Sequence, residues 1–237
     1  MFKLALIVTF VFGQAAAEKP WEAKPRSIDY PWMSTAHWND LHGGYVKRSR
    51  RGDVDLLFLG DSITQGWADN AVWKKHYGGR KAANFGIGGD TTQNVLWRID
   101  NGEIDSIKPK AIVLMIGTNN FGLKNDKPED VAKGVEKIVG TLRSKLPAAK
   151  ILLLGIFPRD AKPETDFRKR IAATNEKLAR LADGKAVTYL DLGAKFLDSA
   201  GYLPADVMPD YLHLSEKGYR IWAEGMEEKV KNLLGEG

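Results

Sequence analysis

Leu56-Leu57-Phe58-Leu59-Gly60-Asp61-Ser62-Ile63-Thr64 is the stretch on which the architecture of this chain turns. Its apolar half has the length and unbroken hydrophobicity of a strand buried on both faces, the mark of a parallel sheet covered by helices. The run stops at Gly60, so Ser62 falls at the carboxyl end of that strand. In an open α/β sheet this edge gathers ligands and catalytic groups, and a helix opening there offers free N–H groups to developing negative charge. A serine after a strand also commonly caps the next helix, so this stretch alone leaves catalysis and capping both open.

Working outward, apolar runs at residues 54–60, 81–85, 111–117, 150–157 and 186–190 predict five strands, with helical stretches between most of them. Such alternation predicts an α/β fold, a parallel sheet covered on both faces. After Pro128, the residues Val131, Val135, Ile138, Leu142 and Leu146 recur at spacings of three and four, which gathers them on one helix face that Pro147 ends. Ser215 is placed to cap a last helix whose buried stripe is Tyr219, Trp222, Met226, Val230 and Leu233.

With 237 residues, 43% of them hydrophobic, the chain can bury one sizeable core, and one globular domain is expected over residues 53–237. Residues 1–17 read as a secretory signal: Met1-Phe2-Lys3 gives a positive start, residues 4–12 an apolar centre and Ala15-Ala16-Ala17 a small-residue cleavage site. This predicts a secreted or periplasmic protein. Residues 18–52 form a segment marked by Trp21, Trp32 and Trp38, with a helix expected over 37–51. No run approaches the roughly 18 apolar residues a membrane span requires, so no stable membrane anchor is expected. The absence of cysteine excludes thiol nucleophiles, thiolate metal sites and disulfides.

The excess of 35 basic over 30 acidic residues is modest. Its densest cluster, Lys47, Arg48, Arg50 and Arg51, reads as a solvated helix end, and no nucleic-acid partner is expected. Four histidines without carboxylate clustering give no basis for a metal site.

A parallel sheet brings all its carboxyl ends to one edge. The second strand offers Gly86-Ile87-Gly88-Gly89-Asp90 there, the third Gly117-Thr118-Asn119-Asn120. Glycine lets backbone N–H groups approach a ligand, and an asparagine amide donates without carrying charge, so these turns together could form an oxyanion hole. Each alone reads equally as an ordinary turn. The glycine turn begins like a dinucleotide fingerprint, but Thr91 stands where its last glycine belongs and it follows the second strand, which argues against a nucleotide site. Near the C-terminus, Asp210-Tyr211-Leu212-His213 has the spacing of one helical turn, which could set Asp210 against one imidazole nitrogen and leave the other facing outward. The same pair serves elsewhere as a surface or capping arrangement; His37, His42 and His76 read as structural or exposed.

Taken in order, Gly60-Asp61-Ser62, Gly89, Asn119 and Asp210-x-x-His213 resemble the four blocks of the SGNH (GDSL-type) hydrolases. Asn84-Phe85-Gly86-Ile87-Gly88-Gly89-Asp90-Thr91-Thr92, Val95-Leu96-Trp97-Arg98, Asn101-Gly102-Glu103, Ile107-Lys108-Pro109-Lys110 and Gly117-Thr118-Asn119-Asn120 closely resemble the catalytic subunits of platelet-activating factor acetylhydrolase. The likeness runs from about residue 54 to 235. It differs from the α/β-hydrolase elbow, where a glycine would replace Thr64.

The resemblance implies a three-layer α/β/α fold of flavodoxin-like type and a serine ester hydrolase needing no cofactor. Ser62 would be the nucleophile, His213 the base and Asp210 its orienter, with oxyanion donors from the backbone of Ser62 and Gly89 and the side chain of Asn119. Ile63, Thr118 and Leu212 are the expected substrate-binding residues. The expected function is a secreted esterase acting on short acyl esters, acetyl foremost, of a glycan or small molecule. A catalytically silent glycan-binding protein and a lysophospholipase- or thioesterase-like lipid hydrolase are the alternatives. The oligomeric state is left open, a homodimer included.

Overall fold

The computed structural model describes residues 18–68 and 70–236; the segment read as a secretory signal lies outside the described residues. Five parallel strands, β1 (Leu56–Gly60), β2 (Ala82–Gly86), β3 (Ala111–Met115), β4 (Lys150–Leu154) and β5 (Val187–Leu190), lie in the spatial order β2-β1-β3-β4-β5. Leu59 pairs with Phe85 on one side and Leu114 on the other. The chain steps from β1 to β2, then crosses back to β3 on the far side of β1. Strand order therefore reverses beside β1, and a crevice opens at such a switch point, outside the carboxyl ends of the strands. Ser62 sits there.

Among the described residues eight α-helices accompany the sheet: α1 (Thr35–Ser49), α2 (Ser62–Gln65), α3 (Ala71–Tyr77), α4 (Thr92–Asp100), α5 (Thr118–Lys124), α6 (Pro128–Lys145), α7 (Asp166–Ala179) and α8 (Glu216–Leu234). The two-residue period of the strands divides their side chains between two cores. Leu57, Leu59, Ile112, Leu114, Ile151 and Leu153 pack with α4, α6 and α7. Leu56, Phe58, Val113, Met115, Leu152 and Leu154 pack with α3 and α8. Every residue of β1 and β3 is buried, which explains runs that are apolar without alternation. Each fully buried leucine or phenylalanine contributes about 1.5–3 kcal/mol, so these central strands anchor both layers.

The helix faces follow the sequence periodicity. In α6, Val131, Val135, Ile138 and Leu142 are buried, Pro128 opens the helix and Leu146 closes it ahead of Pro147. Ser215 Oγ caps α8 by accepting the Gly218 N–H at 3.2 Å. Tyr219, Trp222, Met226 and Val230 are buried on that helix, while Leu233 is only partly covered near its end.

The strands are shorter than their apolar runs. β3 stops at Met115 and β4 at Leu154, yet Ile116, Ile156 and Phe157 remain buried. Hydrophobicity reported burial there, not pairing: the chain leaves the ladder at its carboxyl end while still packed inside. The helix expected over 37–51 starts earlier, at Thr35, because Ser34 Oγ accepts the His37 N–H and sets the cap.

Residues 18–52 lie against the start of α4 and the turn after β2. Thr92 Oγ1 donates to the Pro20 carbonyl at 2.8 Å, and Lys24 N–H to the Gln93 carbonyl at 3.1 Å. The tryptophans divide in role, since Trp38 is fully buried and Trp32 is 54% exposed. The basic cluster ending α1 is partly neutralised by Asp53, 2.6 Å from Arg48 and 3.6 Å from Arg51. Among the described residues no helix is long and apolar enough to cross a membrane.

Candidate active site

The turn after β1 is built so that Ser62 faces outward. A Cβ at Gly60 would lie 2.3 Å from both the Met115 carbonyl oxygen and Thr64 Oγ1, so only glycine lets the chain pass. Asp61 Oδ1 then accepts the Ile63 N–H at 3.0 Å and starts α2 with Ser62 as its first residue. The opening N–H groups of a helix have no partner within it, which leaves the Ser62 N–H available at the crevice.

His213 Nε2 lies 2.9 Å from Ser62 Oγ, and His213 Nδ1 lies 2.6 Å from Asp210 Oδ2. Residues 151 positions apart are thereby joined into one hydrogen-bonded chain. The Asp210–His213 segment is not the helical turn its spacing suggested. Tyr211 adopts φ +58°, and Asp210 Oδ1 accepts the N–H groups of both Leu212 and His213, at 3.0 and 2.7 Å. One carboxylate thus shapes the backbone with one oxygen and holds the imidazole with the other. Burial alone would raise the Asp210 carboxyl; the hydrogen bonds and charge of His213 outweigh it and hold the group below its ordinary value.

Opposite Ser62 stand the two turns from the neighbouring strands. Gly89 has φ +74°, and any Cβ there would strike the Trp32 ring at 2.3 Å. Asn119, in the first turn of α5, uses Nδ2 to donate to the Asp90 carbonyl at 3.0 Å, which leaves its second amide hydrogen free of that bond. Ser62, Gly89, Asn119, Leu212 and His213 line one cavity of about 440 Å³. A serine hydroxyl bonded to an imidazole, itself oriented by a carboxylate and faced by donors, is the arrangement that activates an oxygen nucleophile for acyl transfer.

Residues 58–221 match the GDSL-like Lipase/Acylhydrolase family. The chain belongs to that family. The alpha2 subunit of platelet-activating factor acetylhydrolase IB from Rattus norvegicus is 38% identical over 203 residues, covering 84% of this chain and 86% of the relative. Two solved structures share the fold: a GDSL-like lipase from Bacteroides thetaiotaomicron (TM-score 0.65, 16% identity, 81% of this chain and 97% of that one) and Axe2, an acetylxylan esterase from Geobacillus stearothermophilus (TM-score 0.59, 19% identity, 76% and 93%). This GDSL protein is accordingly a carboxylic ester hydrolase.

Of the three side chains expected to bind substrate, Leu212 lines the cavity of this GDSL hydrolase; Ile63 and Thr118 do not. One residue along a helix turns the side chain by about 100°, so Ile63 points from Ser62 back into the core. It is 2% exposed, and its carbonyl accepts the Tyr219 hydroxyl at 2.8 Å. Thr118 is buried, with its hydroxyl 3.4 Å from Arg159 Nη1. Asn120 is structural: its Oδ1 accepts the Thr92 N–H, and its amide donates to Thr92, Gln93 and Asp126.

A buried ionic network behind the glycine turn escaped the sequence reading. Asp90 accepts from Trp38 Nε1 at 2.6 Å, Arg98 Nε at 2.8 Å and Arg26 Nη2 at 3.3 Å. Arg98 also bonds Glu103 and the carbonyls of Phe85 and Gly60, so one guanidinium ties the ends of β1 and β2 together. Burial works against that cation, but Glu103 and Asp90 outweigh it and raise its pKa. Gly88 is gripped from two sides, its carbonyl by Arg26 at 2.8 Å and its N–H by Gln65 Oε1 at 2.8 Å. The available sequence signal was Arg98 itself, a charge set among the apolar positions of α4.

Asp61 is fully buried, and among the described residues its Oδ2 has no hydrogen-bond partner. Burial pushes its carboxyl up to about 7. Between its ordinary value and that point the native state keeps a proton the unfolded chain releases, so this contribution to stability is present in acid and lost as pH rises through about 7. Asp61→Asn keeps the oxygen that caps Ile63 and removes the titration. In urea unfolding, the variant should gain at least about 1 kcal/mol relative to the natural protein between pH 4.5 and 8. A difference independent of pH would show that Asp61 is ionised throughout.

Proposed function

We propose that this GDSL hydrolase is an exported serine esterase that removes short acyl groups, acetyl foremost, from a carbohydrate or small-molecule alcohol through an acyl-enzyme. The observation that carries the reading is the unbroken Asp210–His213–Ser62 chain of hydrogen bonds at 2.6 and 2.9 Å beside the donors of Gly89 and Asn119. His213 Nε2 takes the Ser62 proton as Oγ attacks the ester carbonyl. The tetrahedral oxyanion is met by the N–H groups of Ser62 and Gly89 and by the Asn119 amide. On collapse, the proton held by His213 passes to the departing alcohol. Water, deprotonated by the same imidazole, then releases the acid and restores Ser62.

Export is supported by the charged, apolar and small-residue order of residues 1–17. A carbohydrate alcohol is supported by Trp32, an exposed indole at the cavity edge that stacks on Tyr30 with centroids 4.8 Å apart and planes within 5°. Such a flat, rigid face can cover a sugar ring while its edge stays wet. The acetyl preference draws on the named activities of the acetylhydrolase relative and of the acetylxylan esterase sharing the fold.

The test is a series of 4-nitrophenyl esters from two to eight carbons, with acetylated xylo-oligosaccharides beside them. A misfit methylene costs roughly 1–3 kcal/mol, so acetate should exceed butyrate by at least about tenfold in kcat/KM. Equal cleavage of octanoate and acetate would overturn the short-acyl reading in favour of a lipase- or thioesterase-like enzyme.

A further inference from the structure

Arg159 lines the same cavity as Ser62 and His213, and neither the reaction above nor the fold accounts for it. Its loop is built with care. Arg168 Nε donates to the Arg159 carbonyl at 2.6 Å and Arg168 Nη2 to the Asp160 carbonyl at 3.1 Å. Asp160 N–H donates to the Tyr211 carbonyl at 2.9 Å, which ties this loop to the turn carrying Leu212 and His213. The side chain is held too: Cζ lies 4.1 Å from the centroid of the Phe167 ring, a cation–π geometry, and Nη1 lies 3.4 Å from Thr118 Oγ1. A Cβ at Gly122 would come within 3.0 Å of Nη1, so the glycine leaves the space the guanidinium occupies.

What this cation lacks is a partner. Among the described residues no carboxylate oxygen forms an ion pair with it within 4.0 Å; Asp160, Asp210 and Asp61 act on it only from further away. Its Nε is buried and has no hydrogen-bond acceptor among the described residues. Desolvating a cation without pairing it is costly, and a guanidinium presents a planar fork suited to an anion with two oxygens.

We infer that Arg159 binds an anionic substituent, a carboxylate, phosphate or sulfate, on the alcohol portion of the ester. This rests on the esterase reading in one respect: a two-carbon acyl group carries no charge, so the anion belongs to the alcohol. The subsite adds no chemical step. It positions the ester and discriminates between charged and neutral alcohols.

The test compares 4-acetoxybenzoate with its neutral methyl ester, on the natural protein, Arg159→Met and Arg159→Lys. Charge-assisted hydrogen bonds are worth roughly twice neutral ones, so the anionic-to-neutral ratio of kcat/KM should fall about tenfold or more in Arg159→Met and recover in part in Arg159→Lys. A ratio unchanged within about twofold, even if both rates fall, would overturn the inference and leave Arg159 a packing residue. Acetylated glucuronate, acetylated glucose 6-phosphate and acetylated glucose 6-sulfate separate the three sources of charge, the largest loss in Arg159→Met marking the one that is recognised.

Failure of the esterase reading looks different: neither acetate is hydrolysed by the natural protein. Binding then decides the subsite without turnover. Phenyl phosphate titrated into Ser62→Ala should bind about tenfold more weakly once Arg159→Met is added, and an unchanged Kd would overturn the inference.

Discussion

Ser62→Ala is expected to lower ester turnover by at least about a thousandfold while leaving the thermal unfolding midpoint close to that of the natural protein. The two halves of this result have separate causes. Among the described residues Ser62 Oγ hydrogen-bonds only His213, so its loss removes no structural contact. It does remove the oxygen proposed to attack. His213→Ala should fall to a similar level, because triad members act as a unit and the second loss adds little once the first has occurred. Turnover within about tenfold of normal in either variant would contradict the assigned mechanism.

Asn119→Ala is expected to lower kcat by roughly 10²–10³, about 2.7–4 kcal/mol, with little change in KM. The asymmetry between the two constants carries the argument. An oxyanion donor works on charge that exists only as the tetrahedral intermediate forms, so ground-state affinity should not notice its absence. Asn119 also donates to the Asp90 carbonyl, and the variant therefore needs a circular dichroism check that the turn has not shifted. An effect mainly on KM would make Asn119 a substrate-binding residue and leave the oxyanion to the backbone donors of Ser62 and Gly89.

The sequence made the layers legible and the site partly so, for reasons that differ residue by residue. β1 could be read because a strand buried on both faces must be apolar throughout, and α6 and α8 because one buried face repeats at helical spacing. Ser62, Gly89 and Asn119 could be placed together because a parallel sheet brings its carboxyl ends to one edge, whereas His213 follows no strand and joined them only through the family resemblance of the ordered motifs. The conformation joining Asp210 to His213 was not legible. It depends on Tyr211 in the left-handed region, and a tyrosine gives no warning of that backbone. Ile63 lies away from the cavity for a related reason. Adjacency to Ser62 in sequence says nothing of helical phase, and α2 begins at Ser62 itself.

The charged residues behind the site were the least accessible. Arg26, Trp38 and Arg98 converge on Asp90 from 64, 52 and 8 positions away, and of the three only Arg98, set among the apolar positions of α4, carries a local sign of burial. Their effect is on position. The turn holding Gly89 is clamped through Gly88 on one side and Asp90 on the other, which fixes the Gly89 N–H where a flexible glycine turn would otherwise wander. Removing one partner from a buried charge network typically costs about 3–5 kcal/mol, so residues 18–52 are structurally part of the site they border.

If Ser62 carries the acyl group of a covalent intermediate, active-site labelling should find it. The protein is incubated with diethyl 4-nitrophenyl phosphate, which transfers a phosphoryl group to an activated serine, and the adduct is located by peptide mass mapping. One adduct per chain is expected, on the peptide containing Ser62, with loss of esterase activity in step with labelling and no labelling of His213→Ala on the same timescale. An adduct on another residue, or esterase activity that survives complete labelling of Ser62, would contradict that role.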